Sequence, residues 1–176
     1  RRPGEEEPRR RRPLLGGGAR ITVRLWGRRG SLASPGPETA HYGGNTSCVE
    51  VRGATGTVLV LDAGTGIRAL GATLTTSCRR VDVLLTHLHM DHIQGLGFFA
   101  PLFESGVEVH LWGPGRRTRD LRSQLARYLS PPLFPVHLRD VPTLVLHDLP
   151  PTEFAVGEFT VMPAHAEEMY NPAVFG

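Results

Sequence analysis

The chain lacks lysine altogether, because all 20 of its basic residues are arginines. This absence excludes a Schiff-base mechanism and a Walker-type phosphate loop, since both require the lysine amine. Cysteine is nearly absent too: only Cys48 and Cys78 are present, in no spacing typical of a metal or redox motif. We therefore predict two free thiols, and neither a disulfide framework nor a zinc knuckle.

Long apolar runs are also missing. No stretch approaches the roughly 18 consecutive apolar residues of a membrane-spanning helix. No apolar stretch follows the basic start of the chain, as it would in a secretion signal. A length of 176 residues with 40% hydrophobic residues suits one globular domain. The sequence thus predicts a soluble, cytoplasmic protein with no membrane partner.

The net positive charge lies at one end of the chain. Residues 1–20 hold seven arginines and three glutamates, whereas residues 21–176 are close to neutral. Few apolar side chains are present in this segment to offset the entropy cost of ordering it. We predict that residues 1–20 form a disordered, Arg-rich extension. Either a solvated tail or an electrostatic grip on nucleic acid would account for it.

Apolar patterning in residues 21–176 predicts a mixed α/β domain. In the first strand, Ile21, Val23 and Leu25 alternate with polar residues, as in a strand buried on one face. Strands and helices alternate only in the middle of the chain, which favours antiparallel strands at the sheet edges. The predicted strands are 21–26, 48–53, 57–62, 81–87, 107–113, 143–147 and 158–162. The predicted helices are 66–74, 92–105 and 116–130.

A dense group of metal-binding side chains follows the apolar strand at 81–87. The stretch "THLHMDH" contains His87, His89, Asp91 and His92. Such side chains converge where strands of open α/β sheets end. Imidazole and carboxylate together suit zinc, with manganese as the alternative. Because four ligands within six residues cannot all surround one tetrahedral ion, a two-metal site with ions about 3.5–4 Å apart is expected.

The motif matches the T-H-x-H-x-D-H signature of the metallo-β-lactamase fold superfamily. The chain also resembles the bacterial phosphodiesterase and RNase Z-like branch in "GRRGSLASPGPETAHYGGNTSCVEV", "LVLDAGTGIRALG" and "PPLFPV". The resemblance covers residues 21–176. It implies a four-layer αβ/βα sandwich, in which two sheets face each other, helices lie outside, and the metals lie at one edge.

The resemblance also implies individual roles. His87 and His89 match ligands of the first metal, and Asp91 and His92 match ligands of the second. Asp91 matches the catalytic residue that orients the hydroxide and helps return a proton to the leaving group. Asp62 matches an aspartate that lies beneath the metal-binding residues and orients them. Capping of the following glycine turn is an equally good interpretation of Asp62.

A third ligand of the first metal is expected later in the chain. His165 is the best match, and His147 is the alternative. Of the remaining histidines, His110 and His137 are interpreted as structural, and His41 as a residue that could line the cleft.

The sequence departs from the family pattern at its end. A later aspartate and a final histidine of the family would fall beyond Gly176. We therefore interpret residues 21–176 as the N-terminal part of the domain, with a fold that is incomplete at its C-terminus.

The resemblance implies a hydrolase that attacks small-molecule or nucleotide phosphodiesters with a metal-activated hydroxide. Hydrolysis of another ester, a thioester or a lactam is the alternative, as is an inactive binding module with an incomplete site. His89 stands where flavodiiron proteins have glutamate, which disfavours that class. Met90 stands where RNase Z has glycine, so tRNA processing is not implied.

Overall fold

The computed structural model describes residues 20–74, 78–104, 106–115 and 119–163. The Arg-rich extension predicted at 1–20 lies outside these residues except for its last position, and it stays a prediction. Among the helices of the described ranges, none has the length and apolarity needed to cross a membrane.

The described chain contains short strands and short helices. The strands are β1 (Thr22–Gly27), β2 (Cys48–Arg52), β3 (Val58–Leu61), β4 (Arg80–Leu84), β5 (Glu108–Gly113), β6 (Leu144–Asp148), β7 (Phe154–Val156) and β8 (Phe159–Val161). The helices are α1 (Gly66–Gly71), α2 (Met90–Ile93) and α3 (Leu121–Leu125). Short 3-10 turns occupy Pro37–Thr39, Leu96–Phe98, Ala100–Leu102 and Leu138–Asp140.

Within the described residues, six strands form one sheet in the order β1-β2-β3-β4-β5-β6. The first three strands are antiparallel, and β3 to β6 run parallel. Parallel strands need crossover connections, and α1, α2 and α3 lie in these connections. Because parallel strands end at one edge, the residues after β3 and after β4 are brought side by side.

One face of the sheet packs against the helices. Alternate residues of the central strands point to this side, which explains the strand periodicity seen in the sequence. The resulting core contains, among others, Val60, Val83, Leu111, Ile67, Leu70, Leu121 and Leu125, all almost completely buried. The helices therefore hold the sheet through apolar contacts that the sequence pattern predicts.

The opposite face carries a second, smaller layer. Strands β7 and β8 form an antiparallel two-stranded sheet, and Val156 packs there with Leu59 and Leu84 of the main sheet. The structure confirms a mixed α/β fold with a central sheet, helices on one side and further strands on the other. Strand β7 was not predicted, because it is only three residues long and follows two prolines.

The first strand differs from its prediction. Strand β1 forms where the alternation predicts it, but Ile21, Val23 and Leu25 are 57%, 61% and 59% exposed. The β7–β8 layer packs instead over Leu59 and Leu84, on strands β3 and β4. The prediction that these three side chains are buried is therefore wrong for the described part of the chain.

All three helices are shorter than predicted, and α1 ends at Gly71 where the prediction extended to residue 74. In the described part of the predicted helix 116–130, residues 119–130, α3 is the regular helix, and the N–H groups of Arg127 and Tyr128 bond three residues back instead of four. In the predicted helix 92–105, α2 ends at Ile93 and two 3-10 turns follow. Glycine and proline in that stretch weaken a regular helix.

Both cysteines are free thiols, as predicted. Cys48 lies completely buried in the helix-side core. Burial, helped by the nearby Asp62 and Glu50 carboxylates, raises the pKa of Cys48 to about 12. Since the thiolate is the reactive form of cysteine, this thiol is inert near neutral pH.

Candidate metal centre

The metal motif spans the loop after β4 and the first residues of α2. We call residues 85–92 the metal loop. Its first residue, Leu85, donates its N–H to the carbonyl of Trp112 on β5 at 2.8 Å. Its last residue, His92, accepts the N–H of Ala63 on its carbonyl at 2.8 Å. Both ends of the metal loop are thus fixed by backbone hydrogen bonds to the neighbouring strand ends.

Asp62 lies directly beneath the metal loop. Its carboxylate is almost completely buried and accepts the Thr86 N–H at 2.9 Å, the Thr86 hydroxyl at 2.9 Å and the Ser47 hydroxyl at 3.1 Å. Its backbone adopts a left-handed conformation with φ of 63°, which aspartate tolerates better than most residues. The left-handed turn directs the carboxylate toward the loop, as expected of a residue that orients it.

His92 connects Asp62 with Asp91. Nδ1 of His92 lies 2.8 Å from Oδ2 of Asp62, so a proton on Nδ1 is donated to the carboxylate. In the neutral imidazole the other ring nitrogen, Nε2, then carries no proton, and it lies 3.3 Å from Oδ2 of Asp91. Two ligand atoms about 2.0–2.2 Å from one tetrahedral zinc are about 3.3–3.5 Å apart. The spacing of this pair therefore fits a shared divalent metal.

The remaining histidines of the motif pack beside this pair. The His87 ring lies 4.6 Å from the His89 ring and 4.0 Å from the His92 ring, measured between centroids. Nδ1 of His87 lies 3.0 Å from the Thr86 hydroxyl. If that hydroxyl donates to Asp62, it accepts from Nδ1 of His87 and leaves Nε2 of His87 able to bind a metal. Thr86 therefore bonds locally and links two of the site residues, Asp62 and His87.

The structure brings the side chains of the motif and Asp62 together, but it does not pre-form a complete metal cage. Within residues 20–74, 78–104, 106–115 and 119–163, no three His, Cys, Asp or Glu side chains are arranged to hold one ion. The donor types and the spacing of Asp91 and His92 fit zinc or manganese. Two sets of roles stay predictions: metal binding by His87, His89, Asp91 and His92, and the orienting of these ligands by Asp62.

The predicted third ligand, His165, lies outside the described residues. Its alternative, His147, lies on β6 and has other partners: its ring stacks on Trp112 at 3.9 Å, and its Nε2 lies 2.8 Å from Nδ1 of His110. His110 is buried, in keeping with a structural role. His41 lies on an exposed loop against the ring of Tyr42.

We expect the pair of His147 and His110 to make the free energy of unfolding depend on pH. Burial, and secondly the neighbouring His110, lower the pKa of His147 below 6.5. The unfolded chain then binds a proton more readily than the folded chain, so stability falls as the pH drops below about 6.5 and levels off below the folded pKa. Urea unfolding at pH 7.5 and 5.5 should show a smaller acid loss for His147→Gln than for the wild type. An equal loss in both proteins would contradict this prediction.

Two contacts of the site were not found from the sequence. The backbone N–H of Ser31 donates to Oδ2 of Asp91 at 2.8 Å, across 60 positions of sequence. Ser47 reaches Asp62 because β2 and β3 are antiparallel, with Val49 opposite Leu61. The hairpin register could have placed Ser47 near Asp62, whereas nothing in the sequence predicts the path of the loop that carries Ser31.

Gly64 allows the turn after Asp62 to pack against the metal loop. A Cβ on Gly64 would overlap with the Asp91 carbonyl oxygen and the Thr46 hydroxyl. It would also lie only 2.7 Å from the Ser47 carbonyl oxygen. We expect Gly64→Ala to lower the free energy of unfolding by about 1–3 kcal/mol and to weaken metal binding, because backbone must move. Gly30→Ala is the matched control, since no heavy atom lies within 4 Å of its added Cβ. Equal stability of the two variants in urea unfolding would count against this packing role.

A protein-family model matches the part of the chain that contains the metal loop. The model described as "Beta-lactamase superfamily domain" matches residues 57–173, about two thirds of the chain, including Asp62 and the whole metal loop. The chain belongs to the β-lactamase superfamily. Members of this superfamily are mostly hydrolytic enzymes, and its fold in general implies divalent metal ions. A search of curated proteins gives no match.

Solved structures share the fold of this superfamily domain at low sequence identity. The metallo-β-lactamase fold protein YhfI from Bacillus subtilis has 18% identity and a TM-score of 0.54, over 80% of this chain and 51% of that one. A structure titled "a New Diphosphatase from the PhnP Family" has 16% identity and a TM-score of 0.56, over 82% of this chain and 56% of that one. The chain thus spans about half the length of the solved structures that it matches.

Proposed function

We propose that this superfamily member is a metal-dependent phosphodiesterase with a two-metal site on the metal loop. One observation carries the proposal: His92 is bonded through Nδ1 to the buried Asp62 and holds Nε2 at 3.3 Å from the Asp91 carboxylate. Carboxylate-bound histidines of this kind typically orient the metal-facing nitrogen. The arrangement supports a metal centre better than it supports a capping turn.

The residues of the site would have distinct roles. His87, His89 and His165 would hold one ion, and Asp91 and His92 would hold the second. Zinc is the expected metal and manganese the alternative; the ions would supply positive charge and a water of lowered pKa. Asp62 would keep His92 in the tautomer with Nε2 unprotonated, and the Thr86 hydroxyl would do the same for His87.

Asp91 is the proposed catalytic residue. Its carboxylate is held by the Ser31 N–H at 2.8 Å and its side chain is only 13% exposed. A carboxylate fixed in this way can orient an attacking water and afterwards return a proton to the leaving oxygen. The proposed reaction cleaves a phosphodiester by water into a phosphomonoester and an alcohol.

The choice of phosphodiesters has three supports. The sequence resembles the phosphodiesterase branch of the superfamily, and one structural neighbour is titled a diphosphatase. Positive metal charge also favours substrates that are anionic and gain charge during attack. Other esters, thioesters and lactams remain competing substrates.

The substrate class can be tested directly with the zinc- or manganese-loaded protein. Three substrates would be assayed side by side by absorbance: bis(p-nitrophenyl) phosphate, the lactam nitrocefin and the thioester S-lactoylglutathione. The proposal predicts turnover of the phosphodiester that is removed by a chelator and restored by metal, and little turnover of the other two. A higher kcat/KM for the lactam or the thioester would contradict the phosphodiesterase assignment.

A binding module without catalysis is the second candidate. It is favoured by the observation that the described part of the chain contains no group of three donors arranged around one ion. Such a module predicts metal binding, or none, without turnover of any of the three substrates. The same assays, with metal content measured in parallel, therefore distinguish it from the enzyme.

A further inference from the structure

A pocket lies beside the metal loop, on the connection between β1 and β2. Residues Arg28, Arg29, Gly30, Glu38, Thr39, Tyr42 and Gly43 line it. We call it the rim pocket. Its volume of about 410 Å³ is within the range of about 300–1,000 Å³ that is usual for small-molecule sites. None of these side chains has a role in the metal centre.

The rim pocket is directly connected to the proposed catalytic residue. Gly30 lines the pocket, and the next residue, Ser31, donates its N–H to Asp91 at 2.8 Å. The other side of the loop is fixed as well, because the N–H groups of Arg28 and Arg29 both donate to the Asn45 carbonyl at 3.0 Å. A ligand in this pocket would therefore lie next to a substrate at the metal loop.

The pocket has two positively charged side chains. Arg28 is held in place, since its Nε donates to the Tyr42 carbonyl at 2.9 Å and its guanidinium lies 4.0 Å from the centre of the Tyr42 ring. Arg29 is exposed. Among the residues that the structure describes, no carboxylate forms a salt bridge with either arginine, so both guanidinium charges are available to an anion.

Among the lining residues, one side chain, that of Glu38, is a carboxylate. Glu38 lies so close to Gly36 that its Oε2 would be 2.7 Å from a Cβ at that position. The pocket thus combines two positive charges with one negative charge. Guanidinium groups bind phosphate oxygens in pairs, and a held guanidinium loses less entropy on binding.

We propose that the rim pocket binds a second phosphate group of the substrate, away from the phosphodiester that is cleaved. Arg29 and Arg28 are its ligands, and Glu38 weakens the binding through its negative charge. This inference rests on the proposed function, because it specifies phosphodiesters that carry an additional phosphomonoester. It makes Arg29 a specificity-determining residue.

Binding can be measured without turnover. Thymidine 3′,5′-bisphosphate would be titrated into the metal-free protein by calorimetry. We expect Arg29→Gln to weaken binding about tenfold or more, which is the scale of one hydrogen bond to a charged group. Glu38→Gln should tighten binding. Arg28→Gln provides a second variant, which should also weaken binding of the bisphosphate.

Arg24→Gln is the matched control. Arg24 lies on β1, packs over the ring of Trp26 at 5.3 Å and does not line the pocket, but its removal changes the net charge equally. The control should bind the bisphosphate as the wild type does. Equal weakening in Arg24→Gln and Arg29→Gln, or no weakening in either arginine variant of the pocket, would overturn the proposal.

Kinetics separate this proposal from the proposed function. Two p-nitrophenyl phosphodiesters of thymidine would be compared, one with and one without a 3′-phosphate. A lower KM for the 3′-phosphate ester that disappears in Arg29→Gln supports the subsite. Turnover without such a preference would overturn the subsite alone. No turnover, with the binding pattern intact, would overturn the phosphodiesterase alone.

Discussion

Asp62→Asn is expected to weaken metal binding about 10–100-fold, the effect usual for loss of a residue that orients a metal ligand. Asparagine tolerates the left-handed backbone of this position, where φ is 63°. It nevertheless replaces one carboxylate oxygen by the amide NH2 group, which donates hydrogen bonds but does not accept them. His92 Nδ1, the Ser47 hydroxyl or the Thr86 groups would then face a donor where they now meet an acceptor. Zinc affinity measured by competition with a chromogenic chelator tests the expectation.

The same substitution should lower the free energy of unfolding by about 1–3 kcal/mol, because it leaves a buried donor without an acceptor. Asp82→Asn is the matched control. Asp82 is as deeply buried and accepts Arg80 at 2.8 Å and Trp112 at 2.9 Å, all outside the metal loop. The control should lose stability but keep its zinc affinity. Equal zinc affinities of Asp62→Asn and the wild type would show that Asp62 only shapes the turn.

Asp91→Asn is expected to lower kcat about 10²–10⁴-fold, the range for loss of a general acid or base. Asparagine has the same shape and can still accept the Ser31 N–H through its oxygen. It cannot take up and return a proton, and it is a weaker metal ligand than a carboxylate. Turnover of bis(p-nitrophenyl) phosphate at saturating metal tests this effect.

Met90→Leu provides the comparison for Asp91→Asn. Met90 is adjacent in the metal loop but 52% exposed, and an exposed substitution of similar volume usually changes stability by less than about 0.5 kcal/mol. Its activity should stay near that of the wild type. An Asp91→Asn protein that matches Met90→Leu in kcat would exclude Asp91 as the catalytic residue.

The sheet could be predicted from the sequence because its strands carry their own signals. Residues such as Val81 and Val83 alternate with residues of the other face, and the structure has β4 there. The helices were less predictable. Leu121, Leu125 and Leu129 are buried as the helical pattern predicts, but hydrogen bonds to residues three positions back replace regular helix after α3. Burial of a stripe therefore does not require a continuous helix.

The candidate site divides in the same way. The metal motif is contiguous, so its candidate ligands could be recognised from their residue types, and the resemblance to the superfamily assigned roles to them and to Asp62. The Ser31 contact with Asp91 depends on how a long Gly/Pro loop folds back over 60 positions, which local pattern does not determine. The stacking of Arg28 on Tyr42, which joins two ends of that loop, was missed for the same reason.

The central claim, that the metal loop binds metal through Asp91 and His92, is tested most directly by zinc titration of the metal-free chain in a calorimeter. The account predicts saturable zinc binding to the wild type, and loss in His92→Ala of the ion that Asp91 and His92 would hold, with the fold of the variant verified by circular dichroism. Zinc binding that is absent from the wild type, or that is equal in His92→Ala, would contradict the account.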